Sequence, residues 1–162
     1  MAKIAKIKRY CISNGEGLRT AVFFSGCPFH CKGCFNKELW DYNYGIEFTQ
    51  KIKEEIFSSI DDHISGISIL GGEPLCKENY DTVLNLCKDF KAAFPNKTIW
   101  LWTGYTLDAV PAEILNYIDV LIDGQFIQEK YDYNLKWRGS SNQRVIDIKK
   151  TLKENKIVLF EN

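Results

Sequence analysis

The sequence predicts an α/β fold, and three observations carry that reading. Apolar runs rich in β-branched and aromatic residues recur along the chain, segments of helical period stand between them, and the runs are ended by glycine or by a Cys-Pro step. Strands this apolar, each separated from the next by a helix, belong in a mostly parallel sheet with right-handed crossovers. The chain has 162 residues, 45% of them hydrophobic. A chain of that length buries roughly 70% of its unfolded surface, and residues 1–162 read as one domain with no linker, repeat or low-complexity tract.

Residues 1–12 are basic through Lys3, Lys6, Lys8 and Arg9, but their apolar residues are interleaved with the cations, so no export signal is expected. Residues 20–25 (Thr-Ala-Val-Phe-Phe-Ser) form the first strand, ended by Gly26 and Cys27-Pro28. In residues 49–60, Ile52, Ile56, Phe57 and Ile60 have helical spacing and Thr49 suits the N-cap. Residues 64–70 are the second strand, ended by Gly71-Gly72. Val83, Cys87, Phe90 and Phe94 then mark one face of a helix that closes before Pro95.

The third strand is residues 98–103 (Thr-Ile-Trp-Leu-Trp-Thr), stopped at Gly104. A helical stretch follows over residues 111–118, with Pro111 in its first turn. Residues 119–123 are the fourth strand. Residues 128–143 are polar and irregular, and the short β-like runs 145–148 and 156–160 are expected to pair as a hairpin.

Charge and composition exclude several functions. Twenty-one basic residues balance 21 acidic ones, so no overall field draws nucleic acid or an anionic membrane. No apolar stretch approaches the ~20 residues that cross a bilayer, and a soluble, intracellular, cytoplasmic protein is expected. Its six cysteines would there remain thiols. An even count suits disulfides in short secreted chains, whereas clustered cysteines in a cytosolic chain point to metal or redox chemistry.

In parallel α/β sheets, ligands bind beyond the carboxyl ends of the strands. Four unusual segments follow the four strands: the cysteine loop, Gly71-Gly72-Glu73-Pro74, Thr103-Gly104-Tyr105 and Asp123-Gly124-Gln125-Phe126. All should face one rim. Cys27, Cys31 and Cys34 have the spacing C-x3-C-x2-C, which lets three thiolates converge on one metal centre. Zinc would need a fourth ligand, from His30 or a distant Cys. An iron-sulfur cube can be held by three thiolates with its fourth iron open to a small molecule. The paired glycines let backbone approach a ligand closely, and Glu73 offers a carboxylate to an ammonium.

C-x3-C-x2-C after the first strand with Gly-Gly-Glu-Pro after the second resembles the radical S-adenosylmethionine (SAM) superfamily. Further segments, Asn14-Gly15-Glu16-Gly17-Leu18-Arg19-Thr20, Cys34-Phe35-Asn36-Lys37, Trp102-Thr103-Gly104-Tyr105 and residues 137–143 (Trp-Arg-Gly-Ser-Ser-Asn-Gln), are similar to those of activating proteins of anaerobic (class III) ribonucleoside-triphosphate reductases. The resemblance implies an incomplete, laterally open (β/α) barrel with mostly parallel strands. It implies a 4Fe-4S cluster on Cys27, Cys31 and Cys34, whose open iron is chelated by SAM. Gly72 and Glu73 would hold the methionine end, and the backbone of Gly33 and the ring of Phe35, flanking Cys34, would meet the adenine. The implied activity is glycyl radical formation on the partner reductase, with a one-electron donor such as flavodoxin; a homodimer is compatible, and neither nucleic acid nor membrane is a partner.

Two positions depart from the pattern. Gly33 stands where many members carry an aromatic residue. Gln125 stands where related activating proteins often carry Lys, so no charge-assisted contact to SAM is expected there. Cys11, Cys76 and Cys87 read as unpaired thiols, with Cys87 on the apolar face of its helix. The rival readings are an activase for another glycyl radical enzyme and a zinc-stabilised binding module without catalysis.

Overall fold

The structure is a computed structural model and describes residues 1–161. In chain order the main elements are β1 (Lys3–Cys11), β2 (Arg19–Phe24), β3 (Ile46–Glu47), α1 (Gln50–Ser58), β4 (Gly66–Gly71), α2 (Tyr80–Ala93), β5 (Thr98–Trp102), α3 (Ala112–Leu115), β6 (Val120–Asp123), β7 (Arg144–Asp147) and α4 (Ile148–Glu154). They build one seven-stranded sheet in the order β3-β1-β2-β4-β5-β6-β7. The four strands expected from the sequence, β2, β4, β5 and β6, pair in parallel at its centre. The outer pairings, β1 with β2, β1 with β3 and β6 with β7, are antiparallel. Among the described residues β3 and β7 do not pair with one another, so the sheet stays open.

Alternate residues of the central strands divide between two faces, as strand geometry requires. Val22, Phe24, Ile67, Ile69, Ile99, Leu101 and Leu121 join Ile52, Ile56, Val83, Leu86, Phe90 and Ile114 in the main core under the helices. Truncating a fully buried member such as Phe90 to Ala costs about 3–5 kcal/mol. The opposite face carries smaller clusters: Cys11, Ala21, Phe23, Leu39 and Leu70 in one, and Trp100, Val120 and Ile122 in the other. The buried apolar residues of the α-helices pack on the first face, while the opposite face holds these two smaller clusters.

One strand goes beyond the sequence reading, and two local expectations are corrected. The basic N-terminus is strand β1: Ile4 and Cys11 are buried, while Lys6, Lys8 and Arg9 are exposed. Register shifts between Ile4 and Lys6 and between Lys8 and Cys11 break the period-2 pattern that would have revealed it. The stretch after Pro111 is one turn of helix, and Pro111 lies at its N-cap position. Runs 145–148 and 156–160 meet only through the bridge of Ile146 to Leu159. They form no hairpin because α4 intervenes, capped by Asp147, whose carboxylate accepts from the Lys150 N–H at 2.9 Å. Thr49 does cap α1, accepting from the Ile52 N–H at 3.3 Å.

Candidate functional site

The segments following β2, β4, β5 and β6 converge on one cavity of about 420 Å³, a volume suited to a cofactor-sized molecule. Its walls include Cys27, Cys31, Cys34, Phe35, Gly72 and Glu73.

The cysteine loop is fastened at its start. The Gly26 N–H donates to Leu39 O at 2.8 Å and the Cys27 N–H to Trp40 O at 3.3 Å, so a short 3-10 turn at Lys37–Trp40 brackets the loop. At its end the Cys34 N–H donates to Cys31 O at 3.1 Å, and the Asn36 N–H reaches the Cys34 sulfur at 3.4 Å. Burial pushes the thiols of Cys27 and Cys31 up; Glu73 and Cys31 repel a thiolate at Cys27, and Cys34 and Glu73 repel one at Cys31. Gathering three thiolates here therefore requires compensating positive charge, which a metal centre supplies.

The donor set fits an iron-sulfur cube better than a single ion. Among the described residues no group of three or more His, Cys, Asp or Glu is arranged to hold one metal ion. His30 is exposed and stacks on Trp40 at 4.4 Å, with the rings 10° from parallel. A cube instead takes each thiolate at a separate corner. Among the described residues the buried Trp40 Nε1, on a residue lining the cavity, has no hydrogen-bond partner, and such a donor suits an acceptor-rich sulfide cluster.

The Gly71-Gly72-Glu73 turn is held against this loop. The Gly72 N–H donates to Phe24 O at 2.8 Å and the Glu73 N–H to Gly26 O at 2.7 Å. A Cβ on Gly72 would lie 2.5 Å from Gly26 O and 2.7 Å from Leu39 O, so only glycine permits the approach. Glu73 is 1% exposed. Its Oε1 accepts from the Gly104 N–H at 2.7 Å; its Oε2 accepts from Thr103 Oγ1 at 2.7 Å and from the Leu75 N–H at 2.9 Å. Burial raises its carboxyl to about 7 against the pull of those donors. Two oxygens have about four acceptor positions, so a further donor can be taken from the cavity. Asn79 ties the two segments, donating to Ser25 O at 2.9 Å and Glu73 O at 3.1 Å.

At the end of β6, Asp123 is consumed internally, accepting from Arg144 Nε at 3.0 Å and from the Leu107 N–H at 2.9 Å. Gln125 is exposed, with Oε1 3.9 Å from the Cys31 sulfur. Phe35 is 66% exposed and packs at 5.2 Å from Phe126 and 5.7 Å from Tyr131. Gly33 is not among the residues that line the cavity; it turns the chain with φ +77°, and a Cβ there would lie 2.8 Å from the Gln128 side-chain amide.

Ser13, Asn14, Arg138 and Gln143 also line the cavity, and no motif of the sequence gives any of them a role. The available signal is that Asn14 and residues 137–143 fall in segments that carry the family resemblance. The Gln143 amide clasps that segment to β6, with Oε1 accepting from the N–H groups of Gly139 and Ser140 at 2.9 and 3.1 Å and Nε2 donating to Gly124 O at 3.0 Å. Cys11, Cys76 and Cys87 are buried, unpaired thiols, and Cys87 packs in the main core.

Residues 13–146 match the family model of a 4Fe-4S single cluster domain. The chain is similar to proteins named anaerobic ribonucleoside-triphosphate reductase-activating protein. That of Vibrio cholerae is 44% identical over 138 residues, covering 82% of this chain and 89% of the relative. That of Pasteurella multocida is 44% identical over 140 residues, covering 82% and 89%. That of Escherichia coli is 43% identical over 140 residues, covering 83% and 91%.

Proposed function

The chain belongs to the family of anaerobic ribonucleoside-triphosphate reductase-activating proteins, and from that membership we propose that it uses a 4Fe-4S cluster and SAM to generate a glycyl radical on such a reductase. The observation that carries the reading is the meeting of three loop thiols and the buried Glu73 carboxylate on one cavity, within a chain that matches a single-cluster iron-sulfur domain.

Cys27, Cys31 and Cys34 would hold the cluster through three of its irons, and the fourth would be open to SAM. When bound, the reduced cluster would supply the one electron that breaks the S–C5' bond of SAM, giving methionine and a 5'-deoxyadenosyl fragment able to take a hydrogen atom from a backbone glycine of the partner. Glu73, held rigid by Leu75, Thr103 and Gly104, accepts from the ammonium. The turn at Gly72 brings its backbone beside the cysteine loop. Phe35 and the backbone at Cys34 meet the adenine, and Gly33, outside the cavity wall, shapes the turn before Cys34.

We read the open sheet as an incomplete, laterally open barrel of radical SAM type, one domain over residues 1–162, whose lateral gap admits the partner's glycine loop. The electron comes from a one-electron donor such as flavodoxin, and the enzyme works in the cytoplasm. The zinc-module alternative is disfavoured by the match to a 4Fe-4S single cluster domain and by the similarity to reductase-activating proteins.

The test is anaerobic: the protein, reconstituted with iron and sulfide, is mixed with the reductase, SAM and a reductant. A glycyl radical signal on the reductase, with 5'-deoxyadenosine as product, is expected. A stable zinc protein without either product would overturn the reading.

A further inference from the structure

SAM carries an ammonium and a carboxylate at its methionine end, and Glu73 can serve only the first. Among the described residues the cavity is lined by one cationic side chain, Arg138. Gln125, which follows β6, brings only a neutral amide.

Half of the Arg138 guanidinium is already committed. Nη1 donates to Ser141 O at 3.2 Å and to Gln143 O. Nε and Nη2 have no hydrogen-bond partner, and no carboxylate pairs with this residue, among the described residues. Those two nitrogens form an edge of the guanidinium fork that matches a carboxylate.

The backbone holds the side chain there from both directions. Trp137, the preceding residue, has φ +63°, a left-handed conformation that is costly for a bulky side chain and persists where surroundings enforce it. Its carbonyl accepts from Trp102 Nε1 at 2.6 Å, and its ring packs edge-on against Trp100 at 4.8 Å and Phe160 at 5.8 Å. On the other side the Gln143 amide accepts from the N–H groups of Gly139 and Ser140. Arg138 is thus presented on the cavity wall between two fixed points.

We propose that Arg138 binds the methionine carboxylate of SAM, providing the positive charge that Gln125 does not. The proposal rests on the reading of the cavity as a SAM site. A carboxylate has about four acceptor positions, so it can ligate iron and still accept from Arg138. Arg138 is in this sense a ligand-positioning residue that orients the sulfonium through the far end of the same molecule.

The test compares two ligands on the cluster-loaded, oxidised protein by equilibrium dialysis: SAM, and decarboxylated SAM, which keeps the adenosine, sulfonium and amine. Arg138→Gln is expected to weaken SAM about ten- to a hundredfold, to change decarboxylated SAM by less than about threefold, and to leave iron and sulfide content unchanged; Arg138→Lys recovers part of the loss. Unaltered SAM affinity, or equal weakening of both ligands, would overturn the proposal. If Arg138→Gln fails to take up the cluster, Arg138→Lys is measured on the same pair, where selective weakening of SAM supports the assignment and equal weakening overturns it. Failure of the unmodified protein to bind SAM at all is a different result: it removes the SAM site itself, and the assignment with it.

Discussion

The two ends of the parallel strands bury polar groups in opposite ways. At the amino end Arg19 is 1% exposed and is satisfied from within the chain. It donates to Ser68 Oγ, Thr98 Oγ1 and the carbonyls of Glu16, Ile67 and Thr98, all between 2.8 and 3.0 Å, and lies 5.5 Å from the Trp100 ring. Burial holds this guanidinium down at about 10, and among the described residues no carboxylate is bonded to it. At the carboxyl end the Cys34 sulfur accepts from the Asn36 N–H at 3.4 Å and the Cys31 sulfur lies 3.9 Å from Gln125 Oε1, while among the described residues the Trp40 indole N–H has no partner and Arg138 uses one nitrogen of its fork. Arg19 fastens β2, β4 and β5 to the loop before them. The opposite rim keeps its valences for something from outside.

The largest expected effect tests the rim. Replacing Cys27, Cys31 or Cys34 singly with Ala should reduce reductive cleavage of SAM to background, measured as 5'-deoxyadenosine, whereas Cys11→Ala should leave it intact. For the half-buried Cys31 and Cys34, melting of the cluster-free protein should move by no more than about 1 kcal/mol. Retained cleavage in a cysteine variant would break the contrast.

Arg19→Met tests the other end. It leaves carbonyls of Ile67 and Thr98 without their donor, and a loss of about 3–5 kcal/mol in urea unfolding is expected, with cluster uptake preserved in the folded fraction. A stable variant that has lost SAM cleavage would mean that Arg19 acts in the chemistry.

Glu73 sharpens the comparison through pH. Its folded carboxyl lies near 7, above the ordinary 4.5, so the native state holds the proton more tightly than the unfolded chain. Its contribution to stability is complete below about 4.5 and is lost as pH rises through 7, a fall on the order of 3 kcal/mol in the cluster-free protein. Glu73→Gln should flatten that slope in thermal melts. SAM affinity should run the other way, rising through pH 7 as the carboxylate forms and then levelling off.

The smallest effect concerns the clasp over the cavity. Trp102→Phe removes the donor to the Trp137 carbonyl, worth about 1 kcal/mol. A severalfold loss of SAM affinity with unchanged iron content is expected by dialysis.

Much of this division is visible in the sequence because it depends on local chemistry. The central strands announce themselves as β-branched runs ended by glycine, and the cysteine spacing and Gly-Gly-Glu lie at their carboxyl ends. The remainder depends on contacts made at a distance. Strand β1 is hidden by its register shifts and by lysines whose stems lie on apolar surface, as Lys6 does 4.6 Å over the Phe23 ring. The segment 126–143 has no period to read because side-chain amides and Arg138 bind its backbone. The pairing of Ile146 with Leu159 suggests a hairpin until Asp147 is seen to cap a helix between them. Arg19 is one basic residue in a motif until Ser68 and Thr98, 49 and 79 residues away, surround it.

The most direct test of the central claim is a Mössbauer spectrum of the iron-57 reconstituted protein before and after SAM is added. One iron of the four should change its environment on addition while the three held by Cys27, Cys31 and Cys34 do not. A spectrum untouched by SAM, with all four irons already saturated by the polypeptide, would contradict the account.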